Sequence, residues 1–320
     1  MESKRGNIIL YFVLVILVLI LIFLLYILWQ YFPSEPVPST ANLPDVSFDT
    51  VNLSSDVLQF YPNMKFNHNE ISYNIEEACS ENKKARMKEA FNILHEEVES
   101  IRFYETAGEP DIRVICSQTA EATTGKRFFI AGEGGAEQII QTAKYNVITK
   151  GIVLLYDNPH NAIQCEWPNV ELHELMHVFG FQHSEDKNSL MYPYLQSCSQ
   201  KLDESIINNL NELYSQPNLP DLYFESVRAV KHGVYLDFNA TIKNAGVTDA
   251  HNVVLAIFDS EKEAERFYLD DIGFGAGITY SVSNAKLNSR NSEIVELRLD
   301  PLGNINEIDE NNNIARLIFN

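Results

Sequence analysis

The chain is predicted to fold as a mixed α+β domain followed by an all-β sandwich, with one transmembrane helix in front. Three observations predict this. An apolar run without charge, Ile8 to Trp29, opens the chain. Residues 55–215 alternate between strand-like and helix-like spacing. From residue 221 onward, short alternating segments separated by turn residues fill the remaining positions, the pattern of a sandwich.

Composition bounds the answer. The 320 residues allow about two domains, and a hydrophobic content of 45% supports real cores. A formal net charge of −20 excludes a nucleic-acid binder, because phosphate binding needs basic surface. Solubility is reason enough for that many acids. Cys79, Cys116, Cys165 and Cys198 form no CxxC, so a cysteine-type zinc site is not expected. An even count behind an export segment points to disulfides, and three pairings are open. Cys79–Cys116 with Cys165–Cys198 is favoured, the second closing a loop around the motif described below. Four buried free thiols is the competing reading, disfavoured outside the cytoplasm.

Residues 1–7, with Lys4 and Arg5, read as a cytoplasmic tail. Residues 8–32 read as a single-pass anchor, long enough to span the hydrocarbon layer and ending in an aromatic belt of Trp29, Tyr31 and Phe32. The basic flank is N-terminal, which leaves everything after the anchor extracytoplasmic. A cleaved signal peptide competes, but the run is long and no small-x-small site follows. Residues 33–54, with Pro33, Pro36, Pro38 and Pro44, read as an extended stalk rather than a packed unit. Asn52 and Asn239 stand in glycan-acceptor tripeptides.

Within 55–215, Glu70–Glu76 alternates like a strand. Glu81–Ser100 has helical spacing, with Ala85, Phe91, Leu94, Val98 and Ile101 on the core face. Arg102–Glu105 and Asp111–Ser117 read as strands joined by a turn. Gly132-Glu-Gly134-Gly135 lacks nucleotide-loop spacing and reads as a bend, Glu137–Tyr145 as a short helix, and Gly151–Tyr156 as a buried strand. A helix is expected from Asn169, its N-cap, and another over Lys201–Tyr214. Residues 216–220 read as a linker. In 221–320, strands are expected near 221–229, 233–243, 251–258, 264–270, 276–283, 292–299 and 314–319.

The stretch with chemistry in it is His173-Glu-Leu-Met-His177-Val-Phe-Gly180-Phe-Gln-His183. On a helix, His173 and His177 sit one turn apart and face one point. Glu174 lies between them, within reach of a metal-bound water as general base. Leu172, Leu175, Met176 and Phe179 supply a core face. Gly180 can take the left-handed conformation that ends a helix and turns the chain, returning His183 as third ligand. Three protein ligands leave a fourth position open, the pattern of a catalytic Zn²⁺ site. A chance HExxH on a core helix is the competing reading. The third histidine and the Ser189-Leu-Met191-Tyr-Pro193 turn weigh against it.

These residues, with Ser184 and the eight-residue step from His183 to Met191, resemble the metzincin metalloendopeptidases and, among them, the matrixins. Arg102-Phe-Tyr-Glu and Asp111-Ile-Arg-Val resemble strands of the same family's catalytic domain. The resemblance implies a metzincin-like fold, Zn²⁺ on His173, His177 and His183, and Glu174 as base and later proton donor to the leaving amine. It also implies Met191 in a turn beneath the metal, and Tyr192 and Pro193 in the wall of the pocket just after the cut. The chain departs from the family where Tyr194 follows Pro193 directly, and where no cysteine precedes Cys79 to supply a latency switch. His68, His95 and His160 are isolated, and no second metal cluster is expected. Pro193 stands where astacin-like enzymes carry a tyrosine ligand.

Thr241-Ile-Lys-Asn-Ala-Gly246, Asn252-Val-Val-Leu and Asp300–Asn312 resemble the CARDB type of immunoglobulin-like domain, a cell-adhesion-related module. The acidic Asp300–Asn312 loop could hold Ca²⁺ but lacks EF-hand spacing, and a solvated turn is the preferred reading. The expectation is therefore a membrane-anchored, extracytoplasmic zinc endopeptidase acting on protein or peptide substrates. Substrate would lie along an edge strand near 127–134. The sandwich would serve as spacer or as the site of a surface partner. The competing function is an inactive adhesion protein, and a processing enzyme with one cognate substrate would use the same chemistry.

Overall fold

The structure is a computed structural model that describes residues 2–32, 34–44, 58–117, 131–157 and 165–319. The Asn52 tripeptide, His160, residues 127–130 of the expected edge strand and the second half of the expected stalk lie outside the described residues.

Helix α1 spans Glu2–Tyr31, and its Tyr11–Tyr31 portion, with mean hydropathy 3.4, is long and apolar enough to cross a membrane. The helix carries no basic residue in its last turn. Arg290 compensates from far along the chain: its guanidinium donates to the carbonyls of Trp29 and Phe32 at the helix end.

Strand β1, Val37–Asn42, follows at once and corrects the stalk reading. Its first half pairs with Thr40↔Arg228 and Val37↔Lys231, its second with Ala41↔Leu317 and Asn42↔Arg316. Val37, Ala41 and Leu43 turn toward the sandwich core, which gives this proline-containing stretch a packed face.

Strands β2 (Met64–Phe66) and β3 (Glu70–Ile75), helix α2 (Glu81–Glu97), and strands β4 (Arg102–Glu105), β5 (Ile112–Ser117), β6 (Gly132–Gln141) and β7 (Asn146–Tyr156) come next. Helices α3 (Asn169–Val178) and α4 (Glu204–Ser215) complete this α+β region. The sheet order is β2-β7-β5-β3-β4, all parallel, with β6 antiparallel to β7 and, among the described residues, without a strand on its other side. Strands β4 and β5, joined by a turn, are not neighbours in the sheet, because β3 lies between them. The expected helix at 137–145 is absent: Gln138–Gln141 pairs with β7, and Thr142 Oγ1 accepts from the Tyr145 amide to close the turn. Gly132–Gly135 lies inside that strand rather than in a bend.

Helix α2 buries Met87, Ala90, Phe91 and Leu94, whereas Ala85 is exposed. Ser80 caps it through the Lys83 amide. Arg86 fixes the approach to α3. It is bidentate to Glu171 at 2.9 and 3.0 Å and also donates to the carbonyls of Cys165 and Trp167. Asn169 is the first helical residue rather than the cap; its Nδ2 donates to Gln200 O at 2.7 Å. Both favoured disulfides are present, Cys79–Cys116 and Cys165–Cys198.

Strands β8 (Leu222–His232), β9 (Tyr235–Asn244), β10 (Val254–Asp259), β11 (Lys262–Tyr268), β12 (Gly277–Lys286), β13 (Ile294–Leu299) and β14 (Ile314–Ile318) build the C-terminal region. With β1 they run β11-β10-β13-β14-β1-β8-β9-β12, so β1 joins the two faces of the sandwich. The chain thus leaves this region after β1, forms the whole α+β region, and returns at β8. The 300–312 loop is solvated over Leu302–Asn304 and Asp309–Asn311 but anchored between them. Glu307 is buried and accepts from the Leu222 amide and Asn313, while Asn312 donates to Asp221.

The two regions meet at the β6–β7 turn. Tyr145 and Val147 pack with Val247, Phe274 and Ile308, and Thr142 Oγ1 donates to Ala245 O at 2.8 Å. Lys65, fully buried, donates to Leu213 O at the end of α4 and to Asn218 in the connecting segment.

Candidate metal centre

Helix α3 places His173 and His177 on one face, one turn apart. The helix ends at Phe179, and Gly180 takes φ +88°, with its amide bonded to His177 O and the Phe181 amide to Met176 O. A Cβ at Gly180 would fall 2.3 Å from Met64 Sδ, so both the dihedral and the space demand glycine there. The reversed chain then brings His183 beside the other two.

Two of the three imidazoles are oriented through their far nitrogens. His173 Nδ1 lies 2.7 Å from Leu190 O and His177 Nδ1 lies 2.6 Å from Phe181 O, so each Nδ1 carries the proton and each Nε2 is left with its lone pair. Those Nε2 atoms converge: His177 Nε2 is 3.1 Å from that of His173 and 3.2 Å from that of His183. Lone pairs so close repel unless a cation sits among them. The spacing is near the ~3.3 Å edge of a tetrahedron with metal–nitrogen bonds of about 2.0–2.1 Å. Burial lowers the pKa of all three, that of His173 to about 4, which keeps them neutral ligands at pH 7. The donor set therefore fits Zn²⁺. Among the described residues, these three histidines are the one group of at least three His, Cys, Asp or Glu side chains whose ligand atoms come this close.

Glu174 is 6% exposed, and strand β6 covers it. Burial first, then the Glu133 and Glu171 carboxylates, push its pKa up to about 8; a dication beside it acts in the opposite direction. A carboxyl so placed can take and return a proton near neutral pH.

Met191 is buried, and its turn is tied to the triad through the backbone. Leu190 O receives His173, and Met191 O receives the Ser184 amide next to His183. Ser189 ties the turn to Asp203 at 2.6 Å. Tyr192 is half-buried with its ring 6.0 Å from that of Tyr194, and Pro193 and Tyr194 are exposed. Gln200, which the sequence did not single out, braces this segment: its amide reaches Ser189 O and Tyr194 O and accepts from the Gln196 amide. Gln59 does the same for the turn after α3, bonding Met64 and Phe179 O. Single glutamines in polar loops carry no sequence signal of such roles. His68 and His95 stand apart, paired with Asp111 and Ile101 O.

Residues 65–215 match the family model of matrixin, a peptidase family, and residues 219–316 match that of CARDB. Three solved domains resemble the C-terminal region. One is from a putative cell surface protein of Methanosarcina acetivorans, with 16% identity, 32% of this chain and 91% of that chain covered, and a TM-score of 0.27. The second is a solution structure of a CARDB domain from Pyrococcus furiosus, with 16% identity, 32% and 94% covered, and a TM-score of 0.26. The third is a crystal structure of the Pyrococcus domain in complex with di-metal ions, with 14% identity, 32% and 88% covered, and a TM-score of 0.25. No curated protein sequence matches the chain.

Proposed function

Residues 65–215 form a matrixin domain and residues 219–316 a CARDB domain, and from that premise we propose that the chain is a zinc-dependent endopeptidase anchored in a membrane by α1. The observation that carries this reading is the convergence of three Nε2 lone pairs beside a buried carboxyl. His173, His177 and His183 would hold the metal. When bound, Zn²⁺ supplies Lewis acidity toward a carbonyl and makes water a better nucleophile. Glu174 takes the proton of the attacking water and returns it to the leaving amine. Strand β6, which has no strand on its outer side among the described residues, offers backbone groups to an extended peptide. The carbonyls of Leu190 and Phe181 hold His173 and His177 in the tautomer that leaves Nε2 free. Tyr192, Pro193 and Tyr194 are assigned to the pocket wall.

Two disulfides support an extracytoplasmic setting for the folded regions, and the basic N-terminal flank of α1 supports a cytoplasmic N-terminus. The test is digestion of a peptide library by the full chain in detergent micelles, with and without a chelator and beside Glu174→Ala. Cleavage is expected only from the zinc-loaded wild type. Cleavage that survives Glu174→Ala or complete zinc removal overturns the mechanism. An adhesion protein with an inactive metal fold is the weaker reading, because triad and carboxyl are all present.

A further inference from the structure

Beyond α1, one short run of the described residues exposes three large apolar side chains within four positions: Leu58 at 62%, Phe60 at 55% and Tyr61 at 54%. The backbone beneath them is held firmly. Gly180 O accepts from the Phe60 amide at 2.8 Å, Leu58 O accepts from the Gln182 amide at 2.9 Å, and Gln182 Nε2 donates to Gln59 O. Gln59, between the exposed residues, turns inward and is 9% exposed. The run is thus strapped to the turn that delivers His183, with its apolar side chains facing out. The Phe60 ring lies 6.2 Å from that of His177.

Apolar groups fixed in water on a rigid backbone beside a reactive centre are costly unless something covers them. The Tyr73 and Phe103 rings show the alternative, being packed on Phe91 in the core. We propose that Leu58, Phe60 and Tyr61 form a ledge that receives a large apolar side chain of the peptide substrate. The proposal rests on the endopeptidase reading and names a specificity of that site. Continuity with the metal centre selects the occupant. An extended peptide advances about 3.3 Å per residue, so a chain lying across the triad reaches the ledge within roughly two or three residues of the bond cut. Burying one Leu or Phe side chain there discriminates it from Ala or Ser by roughly 10- to 100-fold in kcat/KM.

The experiment uses the zinc-loaded full chain in detergent micelles and a degenerate peptide library, with products mapped by mass. One fixed position near the cut should be enriched in Leu, Met, Phe or Tyr. Phe60→Ser and Leu58→Ser should each raise KM on the preferred peptide by about 10-fold with little change in kcat, and flatten the preference. Phe60→Tyr should retain it. Near-UV circular dichroism and melting are expected to stay as in the wild type, since both side chains are exposed. Unchanged preference in both serine variants overturns the ledge and leaves the peptidase reading standing. Absence of cleavage by the wild type overturns that reading and the ledge with it. If Phe60→Ser instead converts an oligomer to a monomer without altering preference, the ledge is a self-contact and the proposal fails.

Discussion

Gly134 lies so close to the active-site helix that a Cβ on it would fall 2.0 Å from the carbonyl oxygen of Glu174. Gly132 repeats the relationship, with a Cβ position 2.6 Å from Glu174 Cγ. Strand β6 therefore meets helix α3 with no side chain of its own at these two positions, and that contact sets both the burial of Glu174 and the height of the edge strand above it. Gly134→Ala should force the strand away from the helix, at a cost of about 1–3 kcal/mol. Peptide cleavage should fall at least 10-fold while zinc content stays near that of the wild type. Metal analysis and kinetics on the same preparation test this; unaltered kinetics would mean the strand tolerates the shift.

Arg86 is the second point of leverage, because Glu171 is buried and has no other cation beside it among the contacts described. Arg86→Met leaves that carboxylate uncompensated and should cost roughly 3–5 kcal/mol in urea unfolding. Arg86→Met with Glu171→Met should recover much of the loss. A double variant as unstable as the single one would assign Arg86's role to its bonds with the Cys165 and Trp167 carbonyls.

A metal-free Glu174→Gln variant should lose stability in mild acid; in the wild type the Glu174 carboxyl, its pKa raised to about 8 in the folded chain, takes up a proton ahead of the unfolded chain and opposes the trend. The His173 pKa is about 4 when folded against 6.5 for the free side chain. As pH falls, the unfolded chain protonates first, so the contribution is complete above about 6.5 and is lost on the way down to about 4. For His173 alone this amounts to roughly 3 kcal/mol, and His177 and His183 shift in the same direction. Unfolding curves of the chelated Glu174→Gln variant at several pH values check the slope; a flat profile across that window contradicts it.

A fragment of residues 34–320 should be more stable than one of residues 55–320. The shorter fragment lacks β1, so Arg228–Lys231 and Arg316–Leu317 lose their strand partner and two sheet edges open. Val37 and Leu43 also leave the core. The expected difference is at least about 2 kcal/mol, read as a lower melting temperature and earlier aggregation. Equal melting would make β1 dispensable.

Val247→Asp should uncouple the two regions. Val247 is fully buried against Tyr145 and Val147, and a carboxylate there has no partner in that cluster. Calorimetry should resolve one transition for the wild type and two for the variant, and the 216–220 segment should become open to proteolysis. A single transition in both would show that the contacts of Lys65 and Thr142 suffice.

The sequence alone determined what depends on short-range spacing. One helical turn separates His173 from His177, a glycine must follow, and a third histidine lies within reach; these relations hold on any helix that forms there. The seven strands of the C-terminal region followed from period-two alternation for the same reason. Tertiary structure alone decided what depends on distant surfaces. Val37–Asn42 reads as a proline-rich spacer until β8 and β14 supply hydrogen-bond partners on either side. Glu137–Gln141 has no local preference strong enough to resist pairing with β7, so the expected helix is a strand. The glycines at 132 and 134 look like a bend, and only contact with Glu174 explains them. Phe60 is one aromatic among many until its backbone is tied to Gly180 and its ring set beside His177. In each case a hydrogen bond or close approach joins residues far apart in sequence, and no local pattern encodes its partner.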